Sequence, residues 1–373
     1  MSVALIAHYL GPRLGIGQYI DRLLPPLVEE LTFLGIEVTI LASPNAFTQT
    51  PALAKLKDVV EVLPPLDYAP GKRYAWMATR FSNYCRRHNI QGVVWLSNPI
   101  VLPWHPPTIA VIHDVNEWKA ANKYGDRLKT WLRAAIYLDA SLHFAQKIIA
   151  ISQTTKQELL YFRSVAKLDS QVKAIANGND SQLINLPPVD IPAPTTPFLL
   201  SVGRIDPTAK RLPEAVALVS ALREISHQPW ELHLVGGMNT STQAEGETFL
   251  KSLEEKPWVY YHGYICDRAL AQWYRQATAV LFLSENEGFG LPIVEAVSFG
   301  RWIVVNQNNQ ASLEIGGAGI IPIAIEQAQQ SATILLDKLQ QSPFPNTEVK
   351  GQNWHKTATA YAKEIWFMLN DQC

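Results

Sequence analysis

The chain has 373 residues, 47% of them hydrophobic and 17% charged, with a formal net charge of −1. That length exceeds what one hydrophobic core usually supports, so two domains are expected, and the composition excludes a disordered chain. The near-neutral charge gives no electrostatic reason for nucleic acid as a main partner, although a local basic patch is left open.

At the start, residues 3–7 form an apolar run cut off by His8, which reads as a first strand rather than a leader. Gly11-Pro12-Arg13-Leu14-Gly15-Ile16-Gly17 follows, then a helical pattern over 19–32 closed by Gly35, and a second strand at 37–41. Strands are predicted at 59–63, 92–96 and 109–112, the last ending in His113-Asp114 at the sheet edge where open α/β folds bind ligands. A helix over 128–145, a strand at 147–151 and a helix capped by Ser152 continue the alternation, and Asn177-Gly178-Asn179-Asp180 closes this half. Prolines 187, 188, 192, 194 and 197 disfavour helix and central strand and mark the domain boundary. The alternation restarts with strands at 198–202, 231–235, 259–264, 279–283, 302–305 and 319–322, and helices at 213–225 and 268–277. A last amphipathic helix over 353–369 needs a docking surface. The predicted class is α/β, with one doubly wound parallel-sheet domain over 1–188, joined by the C-terminal helix 353–373, and another over 197–352.

Cys85, Cys266 and Cys373 are odd in number and widely spaced, so neither a disulfide framework nor a zinc site is expected, and a reducing, cytoplasmic setting is the simplest inference. No apolar stretch of about 18 residues predicts a membrane span, while peripheral membrane association is left open.

The chemistry centres on 284–296. An apolar strand runs into Glu287-Gly288-Phe289-Gly290-Leu291, and Pro292 then suits a helix start, with Glu295 about one turn into the helix. Free N–H groups and the positive helix end predict an anion site flanked by two carboxylates, which suits a phosphate carrying a sugar. Upstream, Arg204 follows the strand ending at Val202-Gly203, and Lys210 lies in the loop before the next helix, two cations able to grip a diphosphate. Arg211 beside Lys210 leaves open which of the two does so.

The pairing of Val202-Gly203-Arg204-Ile205-Asp206 and Lys210 with Glu287-Gly288-Phe289-Gly290-Leu291-Pro292 and Glu295 resembles the signatures of glycosyltransferase family 4, retaining sugar-nucleotide transferases of the GT-B fold. Gly15-Ile16-Gly17, His113-Asp114, Asn177-Gly178 and His262-Gly263-Tyr264 extend the resemblance over most of the chain. It implies a hexosyltransferase using a UDP- or GDP-linked sugar as co-substrate, with no cofactor and no metal, and with a glycan, lipid-linked oligosaccharide or small molecule as acceptor. Arg204 and Lys210 would bind the diphosphate with N–H groups near Leu291. Glu287 would hold the transferred sugar with Phe289 and Gly290, and Glu295 would bond the ribose. Tyr264 and Ile265 would border the base, His113 would approach the donor sugar, and Gly15 and Gly17 would let the backbone approach the phosphates. The family's glycine loop often continues Arg-Tyr where this chain has Gln18-Tyr19.

Three rivals are weighed. A nicotinamide-dependent oxidoreductase would want a third glycine after Gly17 and an acidic end to the second strand, both absent. A glycan phosphorylase would want a pyridoxal-bearing lysine segment, and none stands out. A catalytically silent sugar-binding protein on the same fold is separated only by assay. For His113 the structural alternative is a hydrogen bond to its neighbour Asp114.

Overall fold

The computed structural model describes residues 1–8, 15–119, 126–163, 168–179, 181–238, 243–341 and 353–371. Of the positions singled out above, 11–14, Asp180 and Cys373 lie outside them. The chain divides into two compact units, Met1–Gly178 with Gln352–Cys373, and Asn179–Gly351.

The first unit takes its strands where the apolar runs predict them. In chain order it contains β1 (Ser2–Ala7), α1 (Gly15–Phe33), β2 (Glu37–Ala42), β3 (Val60–Val62), α2 (Pro70–Thr79), β4 (Gly92–Trp95), β5 (Thr108–Ile112), α3 (Arg127–Arg133), β6 (Lys147–Ala150), α4 (Gln153–Phe162) and β7 (Val172–Ala174). The sheet order is β3-β2-β1-β4-β5-β6-β7, and every pairing is parallel. Strands β4 and β5 are buried along their whole length, as central strands covered on both faces must be. Ser152 caps α4, its Oγ accepting from the Thr155 N–H at 3.0 Å.

Two local expectations are corrected, and one strand was not foreseen. Helix α1 begins at Gly15 rather than at 19. The predicted helix over 128–145 is broken, because α3 passes into a π-helical stretch, Ala134–Asp139, before a short α-helix, Ala140–Phe144. β7 is too short to have a readable period, and it forms only by pairing with β6.

The last helix, α8 (Trp354–Asn370), belongs to the first unit and packs on α1. Asn353 caps it, its Oδ1 accepting from the Lys356 N–H at 2.9 Å. A Cβ on Gly178 would fall 2.4 Å from the Trp354 indole, so only glycine lets this helix seat.

The second unit holds β8 (Phe198–Val202), α5 (Leu212–Ser226), β9 (Glu231–Val235), β10 (Val259–Tyr261), α6 (Asp267–Gln276), β11 (Ala279–Phe282), α7 (Leu291–Ser298), β12 (Trp302–Asn306) and β13 (Ile320–Ile323). Its parallel sheet runs β10-β9-β8-β11-β12-β13. Strand β10 ends three residues before the predicted 264, because Gly263 takes a left-handed φ of +64° and turns the chain. The division between units falls ahead of the proline-marked boundary. Arg275 Nη2 donates to the Leu186 carbonyl at 2.6 Å and Gln276 Nε2 to that of Ile191 at 3.0 Å, tying this connection to α6.

Candidate active site

In the second unit the strand order reverses between β8 and β11, so the loops leaving these neighbours diverge and open a crevice at the carboxyl edge. The crevice is lined by Gly203, Arg204 and Lys210 from the loop after β8 and by Phe282, Leu283 and Ser284 from the end of β11. Glycine backbones join the adjacent loops. The Gly203 N–H donates to Val235 O at 2.9 Å, and the Gly236 N–H donates to Gly263 O at 2.9 Å. Gly236 has φ +145°, and a Cβ there would sit 1.9 Å from the Gly203 carbonyl oxygen.

Asp206 organises the cationic loop. Its Oδ2 accepts from Arg204 Nη2 at 2.8 Å, its Oδ1 from the Ala209 N–H at 3.0 Å, and its carbonyl from the Lys210 N–H at 2.9 Å. Lys210 then reaches across the switch point, where its Nζ donates to Glu287 Oε1 and lies 5.4 Å from the Phe282 ring centroid. Arg211 turns elsewhere. With φ +51° at the start of α5, it donates to Glu214 Oε1 at 3.0 Å and to Glu285. Of the two neighbouring cations, Lys210 is the one paired with Glu287.

Glu287, Phe289 and Gly290 share the loop that enters α7. Phe289 is buried, and Gly290 caps the helix with φ +101° and no side-chain acceptor for the first-turn N–H groups, leaving the positive helix end to other partners. Leu291 opens the helix and Pro292 follows, as predicted. Glu295 is buried at 2% exposure, and its Oε2 accepts from the Tyr274 hydroxyl of α6 at 2.9 Å. The two glutamates are therefore unlike, Glu287 in a half-buried ion pair and Glu295 inside the unit.

Sequence reasoning gave Ser284 no role of its own and did not pick out Tyr274. Ser284 is 1% exposed, and neither its Oγ nor Arg204 Nε finds a partner among the described residues, although both residues line the crevice. Orphaned polar atoms in a crevice leave bonding for a water or a polar ligand to complete.

Tyr264 is 48% exposed and Ile265 half-buried on the loop after β10. That loop is anchored by stacked histidines. His262 Nε2–H donates to His233 Nδ1 at 2.9 Å, and His233 Nε2–H donates to Glu231 Oε2 at 2.9 Å. Burial and the neighbouring His233 push the His262 pKa down to about 4. Burial also lowers that of His233, against the opposing pull of Glu231.

His113, Gly15 and Gly17 lie in the first unit. Gly15 and Gly17 sit in the first turn of α1, where a Cβ on Gly15 would meet nothing within 4 Å. His113 follows β5, and its Nε2–H donates to the Leu96 carbonyl at 2.8 Å. Its ring lies edge-on to Tyr19 at 4.7 Å, and burial lowers its pKa. Asp114 opposes that shift by its charge, and its Oδ1 accepts from the Asn116 N–H at 2.9 Å.

Two family models match the chain, glycosyltransferase family 4 over residues 15–183 and glycosyl transferases group 1 over 189–341. The O-antigen chain mannosyltransferase B of Escherichia coli is 31% identical over 103 residues, covering 28% of this chain and 24% of that protein. The serotype-specific mannosyltransferase WbdA of Escherichia coli is 25% identical over 176 residues, covering 47% of this chain and 20% of that protein. The matched stretches thus span about a quarter or less of these relatives' length. Among solved structures, Anabaena HepE in complex with UDP and glucose superposes with a TM-score of 0.63 at 17% identity, over 99% of this chain and 97% of that one. That likeness shows the fold, two Rossmann-like domains of the GT-B type.

Proposed function

This chain belongs to the group 1, family 4 glycosyltransferases, and we propose that it moves a hexose from a nucleoside diphosphate sugar to a hydroxyl of a glycan or lipid-linked acceptor, with retention at the anomeric carbon. The observation that carries this reading is the Lys210–Glu287 pair spanning the switch point beside the uncapped start of α7.

The chemistry follows from what each group can do. Departure of the diphosphate builds negative charge, which Arg204, Lys210 and the Leu291 end of α7 stabilise as fixed positive potential, so no metal is required of the site. Before the donor arrives, Lys210 neutralises Glu287. The diphosphate competes for the ammonium, and the released Glu287 carboxylate accepts hydrogen bonds from the sugar hydroxyls, helped by the Phe289 and Gly290 N–H groups. Donor binding thereby assembles the sugar site by exchanging one ion pair for another. Glu295 is assigned to the ribose, held in place by Tyr274, and Tyr264 and Ile265 to the base. Glu287 stabilises the sugar rather than forming a covalent adduct with it.

The relatives' mannosyl transfer and the UDP and glucose bound to HepE make GDP-mannose and UDP-glucose the first donors to compare. The assay is nucleotide release with a panel of sugar and lipid-linked acceptors. Release that depends on both donor and acceptor and falls roughly 100-fold or more in Lys210→Ala supports the reading. A chain that binds donor but releases no nucleotide with any acceptor would be a sugar-binding protein instead.

A further inference from the structure

The first unit has a switch point of its own, between β1 and β4, and a buried cation stands there. His8 directly follows β1, and its carbonyl accepts from Ser97 Oγ, just beyond β4, at 3.5 Å. Arg73, on α2, is 9% exposed and has no carboxylate within ion-pair distance among the described residues. Its partners are neutral. Nη1 donates to His8 Nε2 at 2.7 Å and to the Leu66 carbonyl at 3.3 Å, and Nη2 donates to the Tyr137 hydroxyl at 3.2 Å.

Proton inventory makes the cluster one-sided. A guanidinium only donates, so His8 Nε2 accepts and the imidazole proton sits on Nδ1. His8 is 6% exposed, and that Nδ1–H has no acceptor among the described residues. Burial first and Arg73 second push the His8 pKa down to about 4, so the ring is neutral at pH 7. Arg73 Nη2 has a second hydrogen beyond the one given to Tyr137, and Tyr137, having accepted from Arg73, has a hydroxyl proton to give. The carboxylate whose charge acts on His8 is Asp67, against the burial and Arg73 effects, and its Oδ2 accepts from the Asn45 N–H at 2.9 Å. Arg133 adds positive potential over the Tyr137 ring at 4.8 Å, although it is itself paired with Glu117 at 3.6 Å. A buried positive charge surrounded by spare donors lacks a partner that only accepts and carries negative charge.

We propose that Arg73, His8 and Tyr137 form an oxyanion-binding site in the first unit, taking a phosphate or carboxylate group carried by the acceptor. Assigning the group to the acceptor rests on the transferase reading, while the anion site itself does not.

The test uses the full chain, labelled with 15N-histidine, in an Arg204→Ala/Lys210→Ala background that removes the phosphate contacts assigned to the second unit. The His8 imidazole signal, identified by its loss in His8→Gln, is followed while inorganic phosphate, acetate or, as neutral control, glucose is added at constant ionic strength. A saturable shift with phosphate, acetate or both supports the site and tells which oxyanion it prefers. No shift beyond that seen with glucose overturns it, without any variant at Arg73 needing to fold. A second arm asks whose anion it is. The kcat/KM ratio between a sugar phosphate or uronate acceptor and its neutral counterpart is measured in the wild type, Arg73→Lys and Arg73→Gln. Loss of one charged hydrogen bond predicts a ratio roughly 10- to 100-fold lower in Arg73→Gln and a smaller loss in Arg73→Lys. An unchanged ratio would overturn the assignment to the acceptor while leaving the His8 titration to decide the site.

Discussion

Lys210 and Arg211 are neighbours in the chain whose charges separate in the fold, because the left-handed backbone at Arg211 aims its guanidinium toward Glu214 and Glu285 and leaves Lys210 facing Glu287. The same individuality holds for the glutamates. Glu287→Ala removes a group assigned to the sugar, so turnover is expected to fall about 100-fold or more with donor affinity changed far less. Glu295 lies inside the unit and accepts from the Tyr274 hydroxyl. Tyr274→Phe deletes the hydroxyl while keeping the ring stacked on Phe299 at 5.5 Å, so the expected result is a donor Kd weakened roughly tenfold with kcat nearly kept. Titration calorimetry with donor, alongside steady-state rates, checks both. Equal loss of turnover at unchanged donor affinity in the two variants would show that the roles are not divided.

At the scale of elements, the sheet-edge loops hold their geometry through glycines that cannot be exchanged alike. Gly236→Ala places a methyl on the Gly203 carbonyl in a region of φ that side chains avoid, which is expected to cost at least about 3 kcal/mol and to weaken donor binding by shifting Arg204. Gly71→Ala is the contrast. It lies in the first turn of α2 with nothing within 4 Å of the added Cβ, and a gain of up to about 0.5 kcal/mol is expected. Urea denaturation of the two variants measures the difference. This scale also separates what a sequence shows from what it hides. Long apolar strands such as β1 and β12, and a cap such as Ser152, announce themselves because the information is local. The loops bearing Arg204, Lys210 and the Glu287 to Glu295 stretch stood out because each forms a compact pattern. The cluster of His8, Arg73 and Tyr137 was not, since 65 positions separate the first two and only the sheet brings them together. Nor does residue order reveal that Glu295 turns inward while Glu287 stays at the mouth.

For the molecule as a whole, both units bury histidines in the neutral form, and this sets how the chain responds to acid. In the first unit these are His8, His105 and His113, and in the second His233 and His262, each with its pKa lowered chiefly by burial. A histidine with an ordinary value of 6.5 takes up its proton in the unfolded chain well before the folded one, which for His8 and His262 protonates only near 4. Between those values the unfolded state holds more protons, so stability rises with pH and is lost as pH falls from about 6.5 toward 4. His8, the more deeply enclosed of the two, accounts for on the order of 3 kcal/mol of that loss. His8→Gln removes one titrating group from the first unit alone. Urea unfolding between pH 7 and pH 4.5, with signals assigned to each unit, should therefore show both units weakening in the wild type, and a visibly flatter pH dependence for the first unit in His8→Gln. A first unit whose stability is independent of pH across that range would mean that these rings are not held neutral by the fold.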